Sequence, residues 1–125
     1  MKLPADGSTC RFTNLTKDMV LAERASVARS FFRRLKGLLG TDSLPDGEGL
    51  LLSPCNSIHM FGMKYAIDVI FLDKELVVVD VLENIAPGKA SRVYRKAFCC
   101  LELPAGKVNL TGTTIGDNLG WRNPD

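Results

Sequence analysis

Histidine is scarce in this chain, and paired metal-ligand motifs are missing from it. His59 is the only histidine, and the four cysteines form no Cys-x-x-Cys pair. Zinc sites are usually built from such pairs together with several histidines. A looser site could still combine the histidine with Cys10, Cys55 and one of the neighbours Cys99 and Cys100. Because that spacing is irregular, we predict no metal and no other cofactor.

Long apolar runs and an export signal are also lacking. No apolar stretch approaches the roughly 18 residues that cross a bilayer. The N-terminal sequence MKLPADGSTCRF contains no apolar core of a signal peptide. We therefore expect a cytoplasmic protein without a membrane span, in which the cysteines remain reduced thiols.

A large excess of charge is absent as well. The 16 basic and 14 acidic residues leave a net charge of +2, whereas nucleic-acid-binding domains are usually strongly basic. Two basic clusters occur nonetheless: the first basic cluster is Arg33, Arg34 and Lys36, and the second spans residues 89–96. Most such clusters are solvated surface, and the alternative is a face that binds phosphate, an acidic protein or RNA. Nucleic acid is the less favoured partner because Tyr94 is the only aromatic residue interleaved with these charges as a stacking platform.

What the chain does contain is a succession of short apolar segments, typical of strands, separated by turn residues. Its 125 residues suffice for one domain. We expect residues 1–9 to form a loose arm and residues 10–125 a single mainly β (α+β) domain, a small barrel or sandwich. One short amphipathic helix is predicted, with Ser30 as N-cap and Gly40 at its C-terminal end. Its apolar residues recur at helical spacing, and they are Phe31, Leu35, Leu38 and Leu39.

The segment CNSIHMFGMKYAIDVIF, residues 55–71, concentrates the chemically versatile side chains. Cys55 and His59 could form a nucleophile–base pair, or they could bind the metal considered above. We favour a structural interpretation, in which the cysteine is buried and Met60 fills irregular space between loop and strand. We expect Cys55, His59 and Met60 to approach Asp68 and to line a cleft with it.

Two carboxylates interrupt otherwise apolar strands: Asp68 lies in IDVIFL and Glu102 in LELPAG. A buried carboxylate needs partners or an opening to solvent. Asp68 therefore either accepts backbone N–H bonds from the preceding loop or lies on a pocket wall beneath His59. If the two carboxylates shared one site, they could perform acid–base chemistry or hold a divalent cation.

Seven short segments follow one another in a recognisable order. They are GLL (37–39), GLLL (49–52), HM (59–60), IDVIFLD (67–73), VVVDV (77–81), LELPAG (101–106) and IGD (115–117). Together they resemble the domain of unknown function 192 family, a group of small bacterial and archaeal proteins, over roughly residues 18–121. The resemblance implies a single, mainly β, barrel-like domain and implies no activity. Because that family more often has tryptophan at the position of His59, the resemblance also implies that any chemistry of His59 belongs to a subgroup.

From these observations we predict a small, non-enzymatic β domain that binds an unidentified small ligand or protein partner, with no catalytic residue assigned. The candidate cleft residues are Cys55, His59, Met60, Asp68 and Glu102. The first alternative is a metal-assisted or hydrolytic enzyme that uses Asp68, Glu102 and His59. The second is an adaptor whose first basic cluster binds an acidic protein or nucleic acid. None of these patterns predicts an oligomeric state.

Overall fold

The computed structural model describes residues 3–124, and within them seven strands form one curled sheet with the shape of a half-barrel. The strands are β1 (Thr9–Asn14), β2 (Met19–Ala28), β3 (Glu48–Leu52), β4 (Ile67–Leu72), β5 (Val78–Ile85), β6 (Cys99–Pro104) and β7 (Leu119–Arg122). The helices are α1 (Phe31–Lys36) and α2 (Lys107–Thr111). The mainly β prediction is thus confirmed, but the described chain contains a second short helix that the sequence did not predict.

The strand order β5-β4-β6-β3-β2-β1-β7 places β4 and β6 beside each other within the sheet. All pairings are antiparallel except that of β2 with β3, which is parallel. Parallel neighbours need a crossover connection, and α1 lies in that connection, between Ala28 and Glu48. All six residues of β4 are buried, because apolar clusters cover both faces of the sheet.

Helix α1 is shorter than its apolar pattern suggests. Ser30 is the N-cap as predicted, its hydroxyl accepting the Arg33 N–H at 3.3 Å. The helix ends after six residues, at Gly37 rather than Gly40, because Gly37 adopts φ 49° and donates its N–H to Arg33 O. No residue of α1 is buried, so its apolar side chains do not pack into the core as an amphipathic helix normally would.

The described part of the N-terminal segment contacts the body of the protein. Leu3 is buried in the core. The Gly7 N–H donates to Val27 O at 2.9 Å, and the Val27 N–H donates to Ser8 O at 3.0 Å. Residues 1 and 2 of the predicted arm, and residue 125 of the predicted domain, lie outside the described residues.

Asp68 connects β4 to two distant parts of the backbone. Its Oδ1 accepts the Asn84 N–H at 2.8 Å, and its Oδ2 accepts the N–H groups of Gly106 and Val108 at 3.0 and 2.9 Å. The side chain is fully buried. Gly106, the N-cap of α2, has no side chain to cap that helix, so the Asp68 carboxylate satisfies its first donors instead. The structural role considered for Asp68 is therefore the one observed, although the donors follow Asp68 in the chain instead of preceding it.

Asp68→Asn is expected to destabilise the fold by about 1–3 kcal/mol, because an amide has a single acceptor oxygen and must direct its NH₂ group at backbone donors on one side. Urea unfolding measures this change. Asp73→Asn is the matched control: the Glu75 and Val77 N–H groups both donate to the same oxygen, Oδ1 of Asp73, which an amide retains. Equal losses of stability in the two variants would contradict this role of Asp68.

Candidate functional site

A cavity of ≈ 370 Å³ opens between α1 with its following turn, the loop of residues 54–63, and one face of the sheet. The sheet contributes its floor through Leu52 of β3, Ile67 of β4 and Glu102 of β6. The remaining walls are mainly aliphatic, aromatic and thioether side chains, among them Phe31, Leu35, Leu38, Leu39, Ile58, Met60, Phe61 and Met63. The cavity thus combines these apolar walls with polar groups from Arg34, Lys36, Asn56, Ser57, His59 and Glu102, a combination found in small-molecule sites.

Four of the five predicted cleft residues line this cavity, namely Cys55, His59, Met60 and Glu102. Asp68 does not, and the pairing of β4 with β6 explains why. Val69 is opposite Glu102 and Asp68 is opposite Leu103, and successive side chains of a strand point to opposite faces. The two carboxylates therefore project from opposite sides of the sheet. The shared carboxylate site required by the metal-assisted or hydrolytic alternative is not formed.

Glu102 is the most unusual group in the cavity. Only 7% of its surface is exposed, and no residue of the described range donates a hydrogen bond to its carboxyl group. Burial is the main cause that raises the pKa of Glu102 from 4.5 to about 8, and the nearby Cys55 adds to it. At neutral pH the side chain is therefore mostly a neutral carboxylic acid.

Cys55 lies directly against a second thiol, that of Cys100, which the sequence suggested only as a possible metal ligand. The Cys100 Sγ donates to the Cys55 Sγ at 3.0 Å, and Cys55 is half-buried whereas Cys100 is fully buried. The hydrogen bond from Cys100 is the main cause that lowers the pKa of Cys55, with a smaller contribution from the charge of Arg34. Burial raises the pKa of Cys100 well above its ordinary value. Cys55 is thus the more acidic thiol of the pair.

His59 takes no part in this thiol pair. Its imidazole is exposed and stacks on Phe61, with ring centroids 5.0 Å apart, and no hydrogen bond joins it to Cys55 in the described part of the chain. The nucleophile–base pair is therefore absent from this conformation. Met60, by contrast, is buried in the core cluster on the cavity side of the sheet. No group of three or more potential metal ligands occurs among residues 3–124.

The first basic cluster does not present its three cations to one place. Arg33 pairs with Asp6, its Nε lying 3.3 Å from the carboxylate, and the Lys36 Nζ donates to Leu39 O at 3.4 Å. Arg34 and Lys36 both line the cavity, whereas Arg33 does not. The Arg34 Nη1 donates to Pro54 O at 3.4 Å, while its Nε is buried without a partner among the described residues.

Sequence reasoning did not predict two polar neighbours of this cavity: Cys100, which is buried behind Cys55, and Arg34, which lines the cavity wall. The sequence did contain a signal for Cys100. Side chains alternate between the two faces of a strand, so CCLELP places Cys100 and Glu102 on the same face. No comparable signal marked Arg34, because its neighbours Arg33 and Lys36 are charged as well and α1 is too short for its periodicity to identify a buried face.

Comparison with known proteins gives a consistent assignment. The sequence profile of DUF192, described as "Uncharacterized ACR", matches residues 13–121. A UPF0127 protein of Thermococcus sibiricus is 35% identical over 112 residues, which cover 86% of this chain and 72% of that protein. A UPF0127 protein of Pyrococcus furiosus is 30% identical over 113 residues, covering 86% of this chain and 95% of that protein.

A crystal structure of a protein of unknown function from Novosphingobium aromaticivorans shares the fold, with a TM-score of 0.78 and 23% identity over 97% of this chain and 91% of that one. Within the described residues, neither helix is long and apolar enough to cross a membrane. The family profile matches most of the chain and includes the seven segments noted in the sequence, so this chain belongs to the DUF192 family of uncharacterised proteins.

Proposed function

We propose that this protein is a non-enzymatic binding domain whose ligand is a small molecule held in the cavity between α1 and the loop of residues 54–63. The observation that carries the proposal is the carboxyl group of Glu102, which is buried, faces this cavity and has no partner among the described residues. On the same cavity wall the Nε of Arg34 is buried without a partner among the described residues, and a buried polar group without a partner is unfavourable by about 1–3 kcal/mol. A ligand that supplies the missing hydrogen bond recovers that free energy.

The lining of the cavity indicates the body of the ligand. Its walls are mostly apolar, and its volume of ≈ 370 Å³ is near the lower end of the range for small-molecule pockets. A compact ligand with an aliphatic or aromatic body fits these walls, because burial of apolar surface provides most of the affinity in such sites.

Glu102 and Arg34 indicate the polar end of the ligand. A protonated carboxyl group both donates and accepts a hydrogen bond, and the pKa of about 8 for Glu102 keeps it protonated at neutral pH. The buried Nε of Arg34, on the wall of the same cavity, is a donor without an acceptor. A carboxamide carries a donor and an acceptor, and a carboxylate, the form of an ordinary carboxylic acid at neutral pH, carries acceptors for both the Glu102 proton and the Arg34 Nε–H. We infer that the ligand ends in one of these two groups.

The ligand proposal is tested with fragments that share an aromatic or aliphatic body and end in a carboxamide, a carboxylic acid or a methyl group. Ligand-observed NMR and thermal-shift assays are expected to show saturable binding of the first two classes at millimolar concentration or better. Glu102→Leu is expected to weaken that binding at least about 10-fold, because one polar partner is lost. Glu102→Gln, which retains a donor and an acceptor, should bind carboxamides nearly as well as the wild type.

Two results would contradict the proposal. The first is binding of the methyl-ended fragments with the same affinity as the amides. The second is equal binding of the amides to Glu102→Leu and to the wild type. Glu83→Gln, at an exposed position of β5, controls for a general effect of removing a carboxylate.

Stability is expected to fall as pH rises between about 4.5 and 8, because the folded protein keeps a proton on Glu102 that the unfolded chain has already released. Above that window the full penalty of a buried charge is present, and the total change is on the order of 5 kcal/mol. Urea unfolding of the wild type and of Glu102→Gln across this range measures the effect. Glu102→Gln should lack the fall in stability between about pH 4.5 and 8, and Glu83→Gln should retain it. If the free energy of unfolding depends on pH in the same way in the wild type and in Glu102→Gln, the raised pKa of Glu102 is refuted.

A further inference from the structure

We propose that Cys55 and Cys100 form a reversible dithiol–disulfide pair at the wall of the cavity, with Cys55 as the thiol that a small-molecule disulfide reaches first. This site is independent of the ligand proposed above, because it requires only that a small disulfide reaches Cys55.

The geometry brings the two sulfur atoms close to bonding distance. Their separation is 3.0 Å, and a disulfide bond is about 2.05 Å long. An approach of roughly 1 Å therefore closes the bond, which small rotations of the two side chains can supply.

Both backbones are already fixed near each other. The Cys55 N–H donates to Phe98 O at 3.0 Å, and the next residue accepts the Tyr94 N–H at 2.8 Å through Asn56 O. Cys100 lies in β6, opposite Leu52 of β3 on one side and Phe71 of β4 on the other. Oxidation would therefore join two positions that the backbone already holds in place.

The surroundings of the two thiols give them different parts in the reaction. Cys55 lines the cavity and is only half-buried, so a small molecule can contact it, whereas Cys100 is fully buried behind it. The hydrogen bond from Cys100, with the charge of Arg34, lowers the pKa of Cys55 and so favours its thiolate. Cys55 is thus the attacking thiol and Cys100 the resolving one.

The remaining cysteines are poor competitors for this bond. Cys99 and Cys10 are both buried in the core cluster on the opposite face of the sheet from Cys100. Cys99 and Cys100 follow each other in β6, so their side chains point away from each other. The structure thus gives Cys100 one near thiol partner among the described residues, Cys55.

The reaction is two successive thiol–disulfide exchanges. The Cys55 thiolate attacks one sulfur of the small disulfide, so that a mixed disulfide forms, the original S–S bond breaks, and one small thiolate leaves and takes up a proton. Cys100 then attacks the Cys55 Sγ, the S–S bond of the mixed disulfide breaks, and the proton of Cys100 passes to the departing sulfur, so that the second small molecule leaves as a thiol. Two protein thiols are oxidised, and one small disulfide is reduced to two thiols.

Oxidation would join the loop of residues 54–63 covalently to the sheet. The thiol of Cys55 would no longer be available as a nucleophile or hydrogen-bond donor on the cavity wall. The redox state of the pair would therefore change the chemistry of this cavity without changing the fold.

The test incubates the folded, full-length chain with graded ratios of oxidised to reduced glutathione. The samples are then denatured, alkylated with N-ethylmaleimide and examined by intact mass and peptide mapping. The wild type is expected to lose two of its four alkylatable thiols at the oxidising end and to yield a joined peptide that contains Cys55 and Cys100. The thiols should return at the reducing end.

Two variants separate the steps. Cys100→Ala is expected to stop at one glutathione adduct on Cys55, and Cys55→Ala to keep its three remaining thiols free. Because each change alters a buried or half-buried site, thermal unfolding is used to check that the variants are folded. The peptide map of the wild type tests the proposal without either variant. Four free thiols in the fully oxidised wild-type sample, or a linkage through Cys99 or Cys10, would overturn the proposal.

Discussion

The antiparallel pairing of β4 with β6 is the constraint on which the rest of the structure depends. Both strands lie inside the sheet, and every residue of β4 is buried. Their register runs without interruption from Ile67–Pro104 to Leu72–Cys99. A slip of β4 by one residue would exchange its two faces, and would move the Asp68 carboxylate to the cavity side of the sheet, the side of Glu102.

That register places two carboxylates with similar sequence surroundings in different environments. Asp68 meets three backbone N–H groups, so its charge is solvated by the protein itself. Glu102 meets a cavity and one thiol, and is kept neutral by burial. The difference lies in what covers each face of the sheet: the turn before α2 supplies donors on one side, whereas the loop of residues 54–63 leaves an opening on the other.

Much of this fold is predictable because it rests on local pattern. Apolar segments between turn residues identify the strands, and Ser30 identifies the start of α1. The end of α1 and the existence of α2 were not predicted, for a common reason. Gly37 and Gly40 both adopt positive φ, and sequence does not tell which one ends the helix. Helix α2 is capped by Asp68, 40 residues earlier in the chain than Val108, and local capping rules do not extend over that distance.

The candidate site was only partly predictable, because its members come from four separated parts of the chain. Cys55, His59 and Met60 share one loop, so their proximity follows from sequence. Glu102 reaches the cavity, and Cys100 reaches Cys55, only through the position of β6 in the sheet. Arg34 lines the cavity because it lies in the crossover connection between β2 and β3. The path of that connection depends on the parallel pairing of the two strands.

Helix α1 has a consequence for the dynamics of the cavity. Phe31, Phe32 and Leu35 are 63%, 79% and 64% exposed, and no residue of the helix is buried. Unwinding α1 therefore exposes little additional apolar surface, and its local opening requires far less free energy than global unfolding. The sheet side of the cavity is fixed to the most stable part of the fold, whereas the α1 side belongs to a segment whose amide hydrogens should exchange early. The cavity would then change shape through this one short segment, while the sheet keeps Glu102 in place.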